Sequence, residues 1–416
     1  MKNNLLMLLL LVATIACEQK SDTDSTFDKA HAALKDTLTD NLTSAFEKDA
    51  IVGLSVAVVN EDGFLYEKGF GYTDLAFSKN YTSNTTQNIA SISKTLIGIA
   101  LLKAQEQGKL KLDDPINKYL PFEIKNPGFP DTPILIEHLA YHTASIIDLD
   151  EVYSKSYVLE KSTHAENEAV FTWFSKPKDR VSLIEFLENT LTLEGQWYQE
   201  GMFANTKPGE VSEYSNIGAA LCAQVIENAT GQDYRDYTKA HILNPLNMTA
   251  SGWSSADIDT TQRSNLFYDK ENLLAAYSLI TYPDGGFITS TKDLGNYLIE
   301  LMKGYSGKGT LLSKESYEQL FERKQFPNTE PGQAQGIFMD FTDEFIRIKG
   351  DMVGHNGSDP GVLTAMYFRP DTGTGKIMLS NTESDDDNGF WPEAVAVWKA
   401  LMEYEKEYAA LKATGS

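Results

Sequence analysis

Apolar residues in this chain fall into strand-length runs near its two ends and helix-length stripes between them. The run Gly53-Leu54-Ser55-Val56-Ala57-Val58-Val59 stops at Asn60-Glu61-Asp62-Gly63, and Phe64 to Phe70 follows at once. Two extended runs around an Asp-Gly signal predict a β-hairpin. From Ile89 to Gln107 apolar residues occupy nearly every side, which predicts a helix buried on most faces. Helical spacing also marks Phe27 to Phe46, Leu183 to Leu191, Ile217 to Ala229, Tyr234 to Ile242 and Pro392 to about Leu411. Strand-like runs return at Gly336-Ile337-Phe338-Met339 and Glu344-Phe345-Ile346-Arg347-Ile348. Val362 to Phe368 and Lys376 to Leu379 predict a second hairpin about Pro370-Asp371-Thr372-Gly373. The pattern predicts an α+β fold, an antiparallel β-sheet flanked by helices with a mostly helical lobe inserted. Residues 28–111 and 285–416 read as the two parts of the α/β lobe, and 112–284 as the helical lobe.

The N-terminus sets residues 1–16 apart as a signal peptide. Lys2 precedes an apolar run from Leu5 to Ile15, too short to span a bilayer but suited to an export signal. Ala16-Cys17 and the polar tether to residue 27 resemble a bacterial lipoprotein signal, with Cys17 lipidated and the protein held on the outer side of a bacterial membrane; Thr14 departs from that pattern. The chain has 416 residues, more than one hydrophobic core usually organises. Its formal net charge of −23, spread along the chain, repels nucleic acid and argues against it as a partner. Cys17 and Cys222 are the two cysteines, and Cys222 sits in an apolar helical run as a small buried hydrophobe. No Gly-rich phosphate loop follows either early strand, so no nucleotide cofactor is expected.

Candidate chemistry centres on Ser91-Ile92-Ser93-Lys94. Serine and lysine three apart share one face of a helix, and a helix start supplies N–H groups and positive dipole for an oxyanion. A lysine there opposes the dipole among apolar neighbours, which is costly without a role. Tyr214-Ser215-Asn216, the only Tyr-x-Asn in the sequence, follows a polar turn, and His355-Asn356-Gly357 lies between strand-like segments. Ser175-Lys176-Pro177-Lys178 repeats the first spacing, but Pro177 makes it a poor helical turn. Lys207-Pro208-Gly209 mimics a Lys-x-Gly but precedes no strand.

In this order the three elements resemble the class C β-lactamase-related serine hydrolases, whose motifs are Ser-x-x-Lys, Tyr-x-Asn and Lys-x-Gly or His-x-Gly. Gly69-Phe70-Gly71-Tyr72, His142-Thr143 and Gly354 to Ser358 fit as well, and the likeness covers roughly residues 35 to 410. The resemblance implies Ser91 as acylated nucleophile, with Lys94 and Tyr214 moving its proton, without a metal or other cofactor. A lysine base requires a pKa brought from ~10.4 toward ~7–8. Asn216, His355, Gly357 and Ser358 would bind substrate, a small molecule or peptide, and backbone N–H groups of Ser91 and Ser358 would form the oxyanion hole. His355 in place of lysine points toward a D-amino-acid peptidase or esterase before a true β-lactamase. A non-catalytic peptide- or peptidoglycan-binding protein of the same fold is the main alternative. A zinc site on His138 and His142 lacks a third ligand, and no Gly-x-Ser-x-Gly elbow occurs. The segment from Asp148 to Phe203 reads as an insertion near the cleft, with Trp173, Trp197 and Tyr198 available to shape a pocket or to pack the insertion itself.

Overall fold

The computed structural model describes residues 26–47, 50–164, 168–384 and 389–415, so the leader segment and Cys17 lie outside the described residues. Residues 26–46 form helix α1, as the spacing predicts. With the C-terminal helix it makes one of two compact units. Within that unit the His31 ring lies 5.0 Å from Tyr408, and its Nε2 hydrogen-bonds the Tyr404 hydroxyl at 2.7 Å.

The second unit, Asp49–Phe390, contains every site residue discussed below. Its frame is a seven-stranded sheet of β1 (Gly53–Asn60), β2 (Gly63–Gly71), β3 (Ala334–Gly336), β4 (Met339–Phe345), β5 (Ile348–Asp359), β6 (Val362–Arg369) and β7 (Thr374–Ser380). The spatial order is β2-β1-β7-β6-β5-β4-β3, and every adjacent pair is antiparallel. Both predicted hairpins form. All eight residues of β1 are buried, which explains its unbroken apolar run where a half-exposed strand would alternate.

Helix α2 (Lys94–Glu106) runs through the interior. Helices α3 (Leu183–Leu191) and α4 (Asn216–Thr230) lie on the helical side. Helix α5 (Thr291–Tyr305) packs on β1 and β7, where a Cβ on Gly375 would stand 2.7 Å from Leu298. Helix α6 (Phe390–Gly415) closes the chain. Ala57 and Val59 of β1, Leu96 and Ile97 of α2 and Ile217 and Cys222 of α4 belong to one continuous core. The inserted helical segment and the sheet therefore do not bury separate interiors.

Two strand expectations fail in the same way. Gly336-Ile337-Phe338-Met339 is a tight turn between β3 and β4, with Phe338 at φ +48°. Glu344 to Ile348 is the end of β4, a two-residue turn and the start of β5: Ile346 and Arg347 take φ +42° and +66°, and Phe345 pairs with Ile348. Such turns are normally built with Asn-Gly, so apolar residues in them look like strand. The expected helix from Ile89 also starts later. Strand Thr86–Asn88 is followed by a 3₁₀ turn, Ala90–Ser93, and the α-helix begins at Lys94.

Candidate active site

Ser91 sits in that 3₁₀ turn, so the chain presents it from a bend preceding the α-helix. The bend depends on Ala90, at φ +47° in the left-handed region. That conformation costs a non-glycine residue roughly 1–2 kcal/mol, strain of a kind that collects at functional sites. Three side-chain bonds hold it. The Ser93 hydroxyl donates to Ala90 O at 2.6 Å and accepts from Phe287 N at 3.1 Å, and Thr364 donates to Ile89 O at 2.9 Å. Lys94, fully buried, directs Nζ to Ser91 Oγ at 3.0 Å and to Asp284 O at 2.8 Å. Desolvation pulls the Lys94 pKa down, but the negative ends of Tyr214, Asp284 and Asp359 outweigh it and hold the lysine above its ordinary value. The lowered pKa expected of a lysine base is not what these surroundings produce.

Tyr214 closes the triad from the loop before α4. Its ring centroid is 5.0 Å from Lys94 Nζ, and its hydroxyl interacts with both Lys94 and Ser91. Although 46% of the residue faces the open cleft, desolvation raises its pKa, with the Lys94 ammonium acting in the opposite direction. His142 clamps this tyrosine. Its ring stacks on Tyr214 at 4.6 Å, its carbonyl accepts from Glu213 N at 2.7 Å, and its Nδ1 accepts from Ser215 N at 3.2 Å. Burial, then Lys94 and His355, push the His142 pKa down to about 3, so the ring is neutral, with its proton on Nε2. Asp148 fastens the start of α4 by accepting from Ser215 Oγ at 2.7 Å, Asn216 N at 2.5 Å and Ile217 N at 3.2 Å. Among the described residues the Asn216 carboxamide has no hydrogen-bond partner, and it faces the cleft.

The third element lies on β5. His355 is buried, with Nδ1 2.5 Å from Asn356 O and Nε2 3.8 Å from Asp340. Burial lowers its pKa, Asp340 raises it and Lys94 lowers it further, with a net downward shift. Gly357 is where β5 presses on the Ser91 turn: a Cβ there would stand 2.6 Å from Ile89 O and 2.9 Å from Ala90 Cβ. Only a bare backbone permits this approach, and Ser91, Gly357 and Ser358 all line the cleft. The cleft measures about 780 Å³.

The sequence missed four residues that shape this cleft. Asp284, buried, and Asp359, half-buried, are two acids beside Lys94, and Tyr153 and Tyr157 reach them from the segment read as an insertion. Neither Asp284 nor Asp359 belongs to a motif, and only the fold brings them together. Of the aromatics singled out in that segment, Trp173 packs edge-on against Tyr157 at 5.0 Å and Trp197 against Phe186 at 5.6 Å. The remaining sequence features settle into local structure. Ser175 donates to Lys155 O, Cys222 is fully buried, and His138 Nδ1 accepts from Leu135 N while His142 serves Tyr214.

The Beta-lactamase family model matches residues 38–397, a span that includes Ser91, Lys94, Tyr214 and His355. The chain is 25% identical over 348 residues to Protein flp of Staphylococcus aureus, covering 82% of this chain but 61% of that protein. It is 25% identical over 361 residues to Penicillin-binding protein 4* of Bacillus subtilis, covering 82% and 70%. The octameric penicillin-binding protein homologue from Pyrococcus abyssi superposes with a TM-score of 0.65 at 24% identity, over 88% of this chain and 77% of that one, a likeness in fold. Serine-hydrolase-type chemistry in general accords with this company and with the Ser91–Lys94–Tyr214 geometry. On the matched span and the shared architecture, the chain belongs to the Beta-lactamase family.

Proposed function

We propose that the protein hydrolyses an amide or ester through an acyl-enzyme on Ser91. The observation that carries this is the 3.0 Å contact from Lys94 Nζ to Ser91 Oγ beneath Tyr214, opening on a cleft large enough for a peptide-sized substrate. Ser91 Oγ bonds to the carbonyl carbon while its proton passes to Tyr214 Oη. The tetrahedral oxyanion is received by the N–H groups of Ser91 and Ser358, and Tyr214 returns the proton to the departing nitrogen or oxygen. Water then repeats the sequence on the acyl ester. Lys94, held charged by its acidic surroundings, offsets part of the desolvation that raises the Tyr214 pKa, and the proposal takes the phenolate form of Tyr214 as the acceptor of the Ser91 proton.

Small esters and D-amino-acid amides, which bring no carboxylate, fit this site better than β-lactams. A penicillin or cephalosporin brings a carboxylate, and here the third-element side chain is a histidine that burial keeps from charging, with Asp340 beside it. The test is turnover of p-nitrophenyl butyrate, a D-alanyl-D-alanine peptide and a chromogenic cephalosporin by wild type and Ser91→Ala. Ser91-dependent cleavage of ester or peptide supports the proposal. Faster cleavage of the cephalosporin makes the protein a β-lactamase, and turnover of none of the three favours a non-catalytic binding protein. We also propose export and lipid attachment at Cys17; unchanged membrane fractionation of Cys17→Ala would contradict it.

A further inference from the structure

Beyond the three motifs, the cleft has one end built from two acids and two phenols. The Tyr153 hydroxyl donates to Asp284 Oδ1 at 3.1 Å, and the Tyr157 hydroxyl donates to Asp359 Oδ1. All four residues line the cleft. The acids adjoin across Gly285, where a Cβ would stand 3.2 Å from Asp359 Oδ2, so the missing side chain leaves space between them. Asp284 is fully buried, and its carboxyl takes a hydrogen bond from Tyr153 on Oδ1 and interacts with the Thr281 hydroxyl of the same turn.

The rest of the lining has the same sign. Asp340, Glu330 and Glu344 add three more carboxylates, and no lysine or arginine is among the described cleft-lining residues. Lys94 Nζ is already spent on Ser91 Oγ and Asp284 O. Carboxylates beside aromatic rings suit an organic cation, which gains ion-pair, hydrogen-bond and cation–π contacts together. The Asp284 carbonyl and Ser91 Oγ share the Lys94 ammonium, so this acidic end adjoins the reacting carbonyl.

We infer that Asp284 and Asp359, each held by a tyrosine hydroxyl, form the subsite for a positively charged amine that the substrate carries next to its scissile bond. The substrate class is then an amino-acid ester, amide or peptide with a free amine close to the bond cleaved. This inference builds on the hydrolase proposal but is tested apart from it. The acids are specificity-determining residues; if they served only to keep Lys94 charged, substrates with and without the amine would respond to their removal alike.

The experiment is calorimetric binding of alanine amide, as both enantiomers, and of its N-acetyl derivative to full-length Ser91→Ala, which reads the subsite without turnover. The free-amine form of one enantiomer is expected to bind at least tenfold more tightly than its acetylated form, and Asp359→Asn or Asp284→Asn in the same background should erase most of that preference. Equal binding of both forms, or a preference that survives both substitutions, overturns the inference. In the Ser91 enzyme, the KM for alanine p-nitroanilide should rise in Asp359→Asn, with the N-acetyl substrate responding much less. Absence of any Ser91-dependent turnover would refute the hydrolase proposal while leaving the binding result to judge the subsite.

Discussion

Gly357→Ala tests whether the approach of β5 to the nucleophile turn sets the reaction geometry. The new Cβ would stand 2.6 Å from Ile89 O, 2.7 Å from Thr364 Oγ1 and 2.9 Å from Ala90 Cβ, where ordinary contact begins at 3.4 Å. None of these atoms turns aside: Ala90 Cβ has no rotamer of its own. Ile89 O is backbone, and Thr364 is held by its bond to that same carbonyl. The strand and the Ser91 turn must therefore part by about 0.8 Å at the closest contact, opening the space between the Ser91 and Ser358 amides. A misplacement near 1 Å costs about 10²-fold in rate, so kcat/KM should fall roughly 30- to 100-fold, or about 2–3 kcal/mol of transition-state stabilisation. Overpacking should lower stability by about 1–3 kcal/mol. Steady-state ester hydrolysis and urea unfolding measure the two effects. Gly375→Ala supplies the contrast: its Cβ meets the Leu298 side chain at 2.7 Å on the α5 side of the sheet, so stability should fall while kcat/KM stays within threefold. A Gly357→Ala enzyme with kcat/KM within threefold of wild type would refute the reasoning.

Tyr214→Phe should lower kcat for an ester by about 10²–10⁴-fold with KM little changed, and His142→Ala by roughly tenfold, because it removes the clamp while leaving the phenol; stopped-assay kinetics separate kcat from KM. Ile346→Asn combined with Arg347→Gly places the preferred residues in a turn whose two central positions both have positive φ, so urea unfolding should show a gain of about 1–2 kcal/mol. Desolvation, reinforced by nearby carboxylates, raises the Asp284 pKa to about 8, and desolvation raises that of Asp359 to about 6, with Lys94 opposing in both cases. The folded state keeps these protons where the unfolded chain, titrating near 3.9, has lost them, so stability conferred at low pH drains away as pH rises from about 4 toward 8. Asp284→Asn should therefore stabilise the protein at pH 8 by up to about 5 kcal/mol and by much less at pH 5, read from unfolding curves at the two pH values; an equal effect at both would contradict the assignment.

What the sequence made legible was the chemistry encoded in short spacings. Ser91 and Lys94 are one helical turn apart, so their proximity follows from local geometry, and the largely apolar stretch around Lys94 already marked its burial. Both hairpins bracketed by Asp-Gly or Pro-Asp-Thr-Gly formed as read. The turns at Ile337-Phe338 and Ile346-Arg347 were illegible because positive φ falls on Phe338, Ile346 and Arg347, residue types that rarely adopt it. The roles of Asp148, Asp284, Asp359, Tyr153, Tyr157 and His142 were not legible for a different reason. Each acts through a partner tens to hundreds of positions away, as Asp148 does on Asn216 and Tyr157 on Asp359. The sequence also offered no cue to the direction of the Lys94 pKa, which depends on Tyr214 and on acids brought beside it by β5 and by the short helix Tyr282–Gly285.

The central claim, that Ser91 is an activated nucleophile, is tested most directly by intact-mass analysis after exposure to a fluorophosphonate. The geometry predicts a single adduct on wild type, mapped to the peptide that contains Ser91, and none on folded Ser91→Ala. A folded wild-type protein that stays unmodified, or a Ser91→Ala protein modified to the same extent, would contradict it.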